Sequence, residues 1–228
     1  MRVSSEFSKN ADTYETYNII QNRVVDKLLA SLNYKPNYIL DLGCGNGALC
    51  EKIDWDFKHF VGIDFAAGML ELHPKSKKVE AIYGDFNDIT LFENLQTYNF
   101  EHIFSSSALQ WATNLERVFQ NIASLNIPIS LAIFTSGTFK TLNKVAKLEP
   151  LLRNKEELDR LQKKYFDVDF EIVQYKLEFA NTREMFRYIK KSGVSGSRNL
   201  LSFKETKRLM QEYPLHYLEF EVAFITSR

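Results

Sequence analysis

Cysteine is nearly absent: the 228 residues hold two, Cys44 and Cys50. Two thiols make neither a disulfide framework nor a zinc site, so both are expected to be free in a reducing compartment, with no metal. No run approaches the roughly 18 apolar residues of a membrane span, and no membrane partner is expected. The segment Met1–Tyr14 is polar and mixed in charge, unlike a secretory signal, so a cytoplasmic location is expected. Repeats, low-complexity tracts and linkers are missing too. So is net charge: 29 Lys+Arg offset 29 Asp+Glu, which argues against a dedicated nucleic-acid binder. The balance is uneven along the chain. Residues 1–114 carry 10 Lys+Arg against 15 Asp+Glu, and residues 115–228 carry 19 against 14. The second half is therefore a candidate docking surface for an acidic partner.

What is present alternates. Ile20, Val24, Leu28 and Leu32 recur every four residues, which predicts an amphipathic helix over 18–32. Short apolar runs at Tyr38–Leu42, His59–Ile63, Ala81–Tyr83, Glu101–Phe104 and Ile129–Phe134 read as strands. Helical segments start at Gly47, around Met69–Leu72 and over Leu115–Leu125. This is the pattern of an α/β protein with a mostly parallel sheet covered by helices. Residues 140–165 break the alternation with a charged helical stretch, expected as a cap inserted into a single domain over 1–228. Strands at Phe170–Phe179 and Tyr217–Thr226 and helices at Thr182–Lys191 and Phe203–Glu212 complete seven strands. Glu219 and Glu221 are expected to mark a polar side of the last strand.

The strongest local chemistry lies in Ile39-Leu40-Asp41-Leu42-Gly43-Cys44-Gly45-Asn46-Gly47. A strand delivers the backbone to a glycine-rich turn against which a ligand can lie, and a helix with unpaired N–H groups follows. Gly43-x-Gly45-x-x-Ala48 also fits a dinucleotide fingerprint. Asp41 separates the two readings. A carboxylate here repels the pyrophosphate of a dinucleotide but attracts the ammonium of S-adenosylmethionine, which has no phosphate. The next strand ends at Asp64, suited to ribose hydroxyls, and Gly84-Asp85-Phe86 follows the third, suited to the adenine amino group and ring. Three acids at the ends of three successive strands fall where open α/β sheets bind ligands.

The spacing of Asp41–Gly47, Asp64 and Gly84–Asp85 resembles the class I, Rossmann-like methyltransferases. Outside that core, Phe7-Ser8-Lys9-Asn10-Ala11-Asp12-Thr13-Tyr14-Glu15 with Gln21 is similar to the opening of the malonyl-acyl carrier protein O-methyltransferases of biotin synthesis. Ser105-Ser106-Ser107-Ala108-Leu109-Gln110-Trp111 with Asn114-Leu115 resembles that family's segment after the fourth strand. Phe134-Thr135, Gly137-Thr138-Phe139 and Leu142 resemble its segment after the fifth. Ala66-Ala67-Gly68-Met69 and Asn126-Ile127-Pro128 depart from the family pattern, and Ser192 to Asn199 departs where the substrate carboxylate would be held.

The resemblance implies methylation of the free carboxylate of a malonyl thioester on acyl carrier protein, or on coenzyme A, as the first step towards pimelate. A malonyl carboxylate is ionised near neutral pH, so no general base is expected. His59, His73, His102 and His216 are scattered and expected to be structural or on the surface. Tyr14, Gln110 and Trp111 are candidates for a partly aromatic substrate wall. Lys190 and Arg198 are candidates for contacting the carboxylate or the carrier's phosphate. The candidate cofactor set is Lys9, Tyr14, Asp41, Gly43, Cys44, Gly45, Gly47, Asp64, Phe65, Met69, Asp85, Phe86 and Ser105. The cationic half, including Lys144, Lys147, Arg160 and Lys163, is the candidate surface for the acidic carrier. The competing readings are a methyltransferase for another acid or small molecule, a nicotinamide-dependent oxidoreductase and a cofactor-binding partner without activity.

Overall fold

Apolar runs between turn residues become buried strands because a sheet covered on both faces leaves no polar side. The computed structural model describes residues 18–191 and 203–228. Helix α1 (Ile19–Ala30) leads into β1 (Tyr38–Leu42) and α2 (Ala48–Lys52). Then follow β2 (His59–Asp64), α3 (Ala67–Leu72), β3 (Val79–Tyr83) and α4 (Ile89–Leu95). Next come β4 (His102–Ser106), a 3-10 turn (Leu109–Trp111), α5 (Leu115–Ser124) and β5 (Ile129–Phe134). The chain continues through α6 (Lys140–Ala146), α7 (Lys155–Tyr165), β6 (Val168–Glu178), α8 (Thr182–Lys191) and α9 (Phe203–Glu212) to β7 (Tyr217–Ser227).

The strands form one sheet in the order β3-β2-β1-β4-β5-β7-β6. The five from β3 to β5 are parallel, and β7 runs antiparallel to both β5 and β6. Among the described residues no helix is long and apolar enough to cross a membrane.

Strand periodicity of two sends alternate residues to opposite faces. Leu40, Ile103, Leu131, Ile133 and Ala223 enter one core, shared with α4, α5 and α7. Their neighbours Ala132, Phe134, Val222 and Phe224 enter another, shared with α1, α6, α8 and α9. Helix α5 shows the helical equivalent. Leu115, Val118, Phe119 and Ile122 form one buried stripe. Each such side chain contributes about 1.5–3 kcal/mol. The Asn114 side chain caps the helix by accepting from the Arg117 N–H.

The stretch 140–165 is two helices, not one. Phe139 and Lys147, on either side of α6, have left-handed backbone, and Pro150 falls in the break before α7. Asn154 caps α7, with Glu156 and Glu157 in its first turn and Lys163 and Lys164 in its last, each sign suited to the helix dipole. Leu158 and Leu161 put α7 in the core beside α5, and Lys164 reaches Glu116 at 2.7 Å. Thus the inserted α7 also covers one face of the sheet. Helix α6 packs through Leu142 on the other face. Lys144 and Lys147 therefore lie on the opposite face from Arg160 and Lys163, so the four do not make one cationic patch. Lys163 is also paired with Asp159 at 2.6 Å.

Glu221 does not mark a polar side either. It is buried, accepting from the Thr135 hydroxyl and from Gln174 Nε2, and it ties β5, β6 and β7 together.

Candidate active site

The carboxyl ends of β1, β2 and β4 open into a cleft, the place where open α/β sheets bind ligands. Its floor is the turn after β1. Gly43 and Gly45 have φ of +77° and +55°, left-handed values that suit glycine. A side chain at Gly43 would collide with the Ala108 Cβ, so this glycine lets the loops after β1 and β4 touch. At Gly45 a Cβ would meet nothing within 4 Å among the described residues. That open space is the cradle a ligand lying on the backbone needs.

Asp64, at the end of β2, holds the turn in shape. One carboxylate oxygen accepts from the Gly45 N–H at 2.9 Å, and the other from the Ala66 N–H at 2.8 Å. Burial raises its pKa, while those N–H groups oppose the rise. Gly43 N–H and Cys44 N–H donate to the Ile63 carbonyl at 2.7 and 3.0 Å. The turn is thus fastened to β2 before any ligand arrives.

Asp41, the last but one residue of β1, is 2% exposed and lines the cleft. Its Oδ1 has no hydrogen-bond partner among the described residues. Burial first, and the nearby Asp64 charge second, push its pKa up to about 8. A buried carboxyl without a partner is costly, and a cation is the ligand that relieves it. Phe65 and Phe86 meet edge to face, with centroids 6.5 Å apart, on the wall beyond Asp64. Asn18, just before α1, with Gln21 and Val25 of α1 supply another wall, and Ser106, Ser107, Ala108 and Trp111 a third.

A family model described as a methyltransferase domain matches residues 39–128, the segment that builds this cleft apart from its Asn18, Gln21 and Val25 wall. The malonyl-acyl carrier protein O-methyltransferase 2 of Ilyobacter polytropus is 26% identical, over 99% of this chain and 94% of that protein. Among solved structures, the YcgJ protein of Bacillus subtilis superposes with a TM-score of 0.60 at 9% identity, covering 90% of this chain and 99% of that one. The chain is a methyltransferase with the class I, Rossmann-like fold. A third likeness has the same fold: phosphoethanolamine N-methyltransferase 2 of Haemonchus contortus, solved with S-adenosylmethionine. It has a TM-score of 0.57 and 14% identity, over 96% of this chain and 57% of that one. That domain and fold imply S-adenosylmethionine as the cofactor. The cleft fits that group on three counts: an orphaned buried carboxyl for the ammonium, an open glycine cradle, and an aromatic wall.

The methyltransferase brings together, as lining residues, nine of those singled out in the sequence. Asp41, Gly43, Cys44 and Gly45 come from β1 and its turn; Asp64, Phe65 and Met69 from β2 and α3; Phe86 and Trp111 from beyond β3 and β4. Four others stand back from the cleft. A side chain at Gly47 would run into the Pro74 ring, so that glycine serves packing of α2. Asp85 Oδ1 accepts from Asn87 N–H and Nδ2, closing a turn. The Ser105 hydroxyl donates to the Leu42 carbonyl at 2.6 Å and stitches β4 to β1. Gln110 donates to the Ser107 carbonyl. Lys9, Tyr14 and Arg198 lie outside the described residues. Lys190 falls in α8, and its side chain is likewise outside the description. Sequence reasoning left out Asn18, Val25 and Leu49, and named Asn46, Ala48, Ser106, Ser107 and Ala108 only within longer motifs. Gln21 was noted only as part of a family segment. The available signal was a glutamine on the buried stripe of α1, between Ile20 and Val24.

Proposed function

We propose that the protein methylates the free carboxylate of a malonyl thioester carried on acyl carrier protein. The observation that carries this reading is the likeness to the Ilyobacter malonyl-acyl carrier protein O-methyltransferase along 99% of the chain. It extends beyond the cofactor segment, and the Ala108–Trp111 segment that resembles this family sits at the cleft.

When bound, S-adenosylmethionine would supply an electrophilic methyl group on a sulfonium, with a neutral thioether as its leaving group. The residues of this chain divide the remaining work. Asp41 would give up its proton and pair with the ammonium, and Asp64, already fixed by two N–H groups, would offer its remaining lone pairs to ribose hydroxyls. Phe65, Phe86 and Met69 enclose the base. The acceptor carboxylate is ionised at neutral pH and attacks with an oxygen lone pair, so no residue has to remove a proton. Opposite charges neutralise as the new C–O bond forms. Catalysis then comes from alignment in a site that excludes water, with Trp111 at its rim.

The test compares acceptors under one set of conditions: malonyl-acyl carrier protein, malonyl-coenzyme A, free malonate and unloaded carrier. The expected order places the malonylated carrier first by at least about tenfold in kcat/KM, with none for the unloaded carrier. Equal or better turnover of an unrelated acid overturns the acceptor assignment.

A further inference from the structure

Four residues that line the cleft carry a buried polar atom with no hydrogen-bond partner among the described residues: Gln21, Asp41, Ser106 and Ser107. Asp41 is accounted for by the cofactor's ammonium. Ser107 differs from the others in its backbone. Its φ is +60°, a left-handed value uncommon for a residue with a side chain. Strain of this kind persists only where neighbours over-determine it.

Here they do. Ser107 N–H donates to the Ala132 carbonyl of β5 at 2.9 Å. The Ser107 carbonyl accepts from Gln110 Nε2. The next residue, Ala108, is pressed against Gly43, where even a methyl group would not fit. The backbone is gripped on each side while the hydroxyl is left without a partner.

We infer that the Ser107 hydroxyl donates the hydrogen bond that holds the acceptor carboxylate, and that Gln110 is a positioning residue that locks Ser107 in its left-handed conformation. The inference rests on the acceptor proposed above. A neutral donor suits this reaction. The carboxylate loses its charge as it is methylated, so a full cation would stabilise the ground state more than the transition state. A hydroxyl orients the oxygen with less of that penalty. Gln110 acts at one remove: its carboxamide grips the Ser107 main chain and is absent from the cleft lining.

The test is a double-mutant cycle with Ser107→Gly and Gln110→Leu, following methyl transfer to malonyl-acyl carrier protein by the whole chain and S-adenosylmethionine binding by calorimetry. Glycine accepts the left-handed backbone, so Ser107→Gly removes the hydroxyl without adding strain. It is expected to lower kcat/KM for the carrier by about 10- to 100-fold and to leave the cofactor Kd within about twofold. Gln110→Leu is expected to cost about tenfold with Ser107 present and almost nothing in the Ser107→Gly background, because its effect passes through Ser107. A merely structural glutamine would cost the same in both.

Three results overturn the inference while leaving the acceptor intact: unchanged transfer by Ser107→Gly, an equal loss of cofactor binding, or a Gln110→Leu effect independent of the serine. A wild-type protein that binds the cofactor but never methylates the malonylated carrier overturns both readings together.

Discussion

Replacing Asp41 with asparagine removes one charge at the point where the account needs it and keeps the shape of the side chain. In the free protein this carboxyl is enclosed, has an unpartnered oxygen and is pushed up to about 8, first by burial and then by the charge of Asp64. Two consequences follow with opposite dependence on pH. Cofactor binding requires the carboxylate. Between about pH 6 and 7.5 the wild-type affinity should therefore rise close to tenfold per unit, with nearly one proton released per cofactor bound. Asp41→Asn should bind about 10- to 100-fold more weakly at pH 7.5, the worth of a charge-assisted contact, and lose that slope. Stability of the free protein runs the other way. The folded state holds the Asp41 proton more tightly than the unfolded chain, so this contribution is complete below about pH 4 and is lost as pH rises towards 8. Asp41→Asn, which never acquires a buried charge, should melt at least about 4 °C above wild type at pH 8, for a difference of a few kcal/mol. Calorimetry in buffers of different ionisation enthalpy and melting curves at several pH values read both effects. A wild-type affinity that is flat over this range, or an asparagine variant that binds equally well, would refute the reasoning.

The two glycines of the turn should fail in different ways. Gly43→Ala drives a methyl into the Ala108 Cβ and should cost more than about 2 kcal/mol, visible as a lower melting temperature. Gly45→Ala meets no atom, so it should cost only about 1 kcal/mol of backbone strain yet weaken cofactor binding about tenfold by filling the cradle. His102 is buried between the Tyr34 hydroxyl at 2.7 Å and the Ser130 hydroxyl at 2.9 Å, and burial lowers its pKa to about 4. The unfolded chain binds its proton first, so stability should fall as pH drops from about 6.5 towards 4. His102→Gln should flatten that limb of the melting-temperature profile.

Legibility followed local chemistry. The turn after β1 could be read because clustered glycines behind an acid at a strand end serve few purposes besides holding a ligand against the backbone. The bounds of β5, α8 and α9 could be read because apolar periodicity there is uninterrupted. Helix α4 was missed: Ile89–Leu95 is two turns long, and its start, capped by Asp88 accepting from Thr90 N–H, reads as one more turn. The α1 wall was missed because Asn18 and Gln21 look like solvent-facing helix residues until the helix is laid on the sheet. The serine run shows the limit of reading residue types. Ser105 and Ser106 alternate along β4, so the first hydroxyl goes to Leu42 while Ser106 and Ser107 line the cleft. Which serine does which depends on register, and residue type does not reveal it.

The most direct test is transfer of labelled methyl from S-adenosylmethionine to purified malonyl-acyl carrier protein, with unloaded carrier alongside. The account predicts label on the malonylated carrier alone, released by mild base as expected of a methyl ester. Tight cofactor binding with no label on that carrier would contradict it.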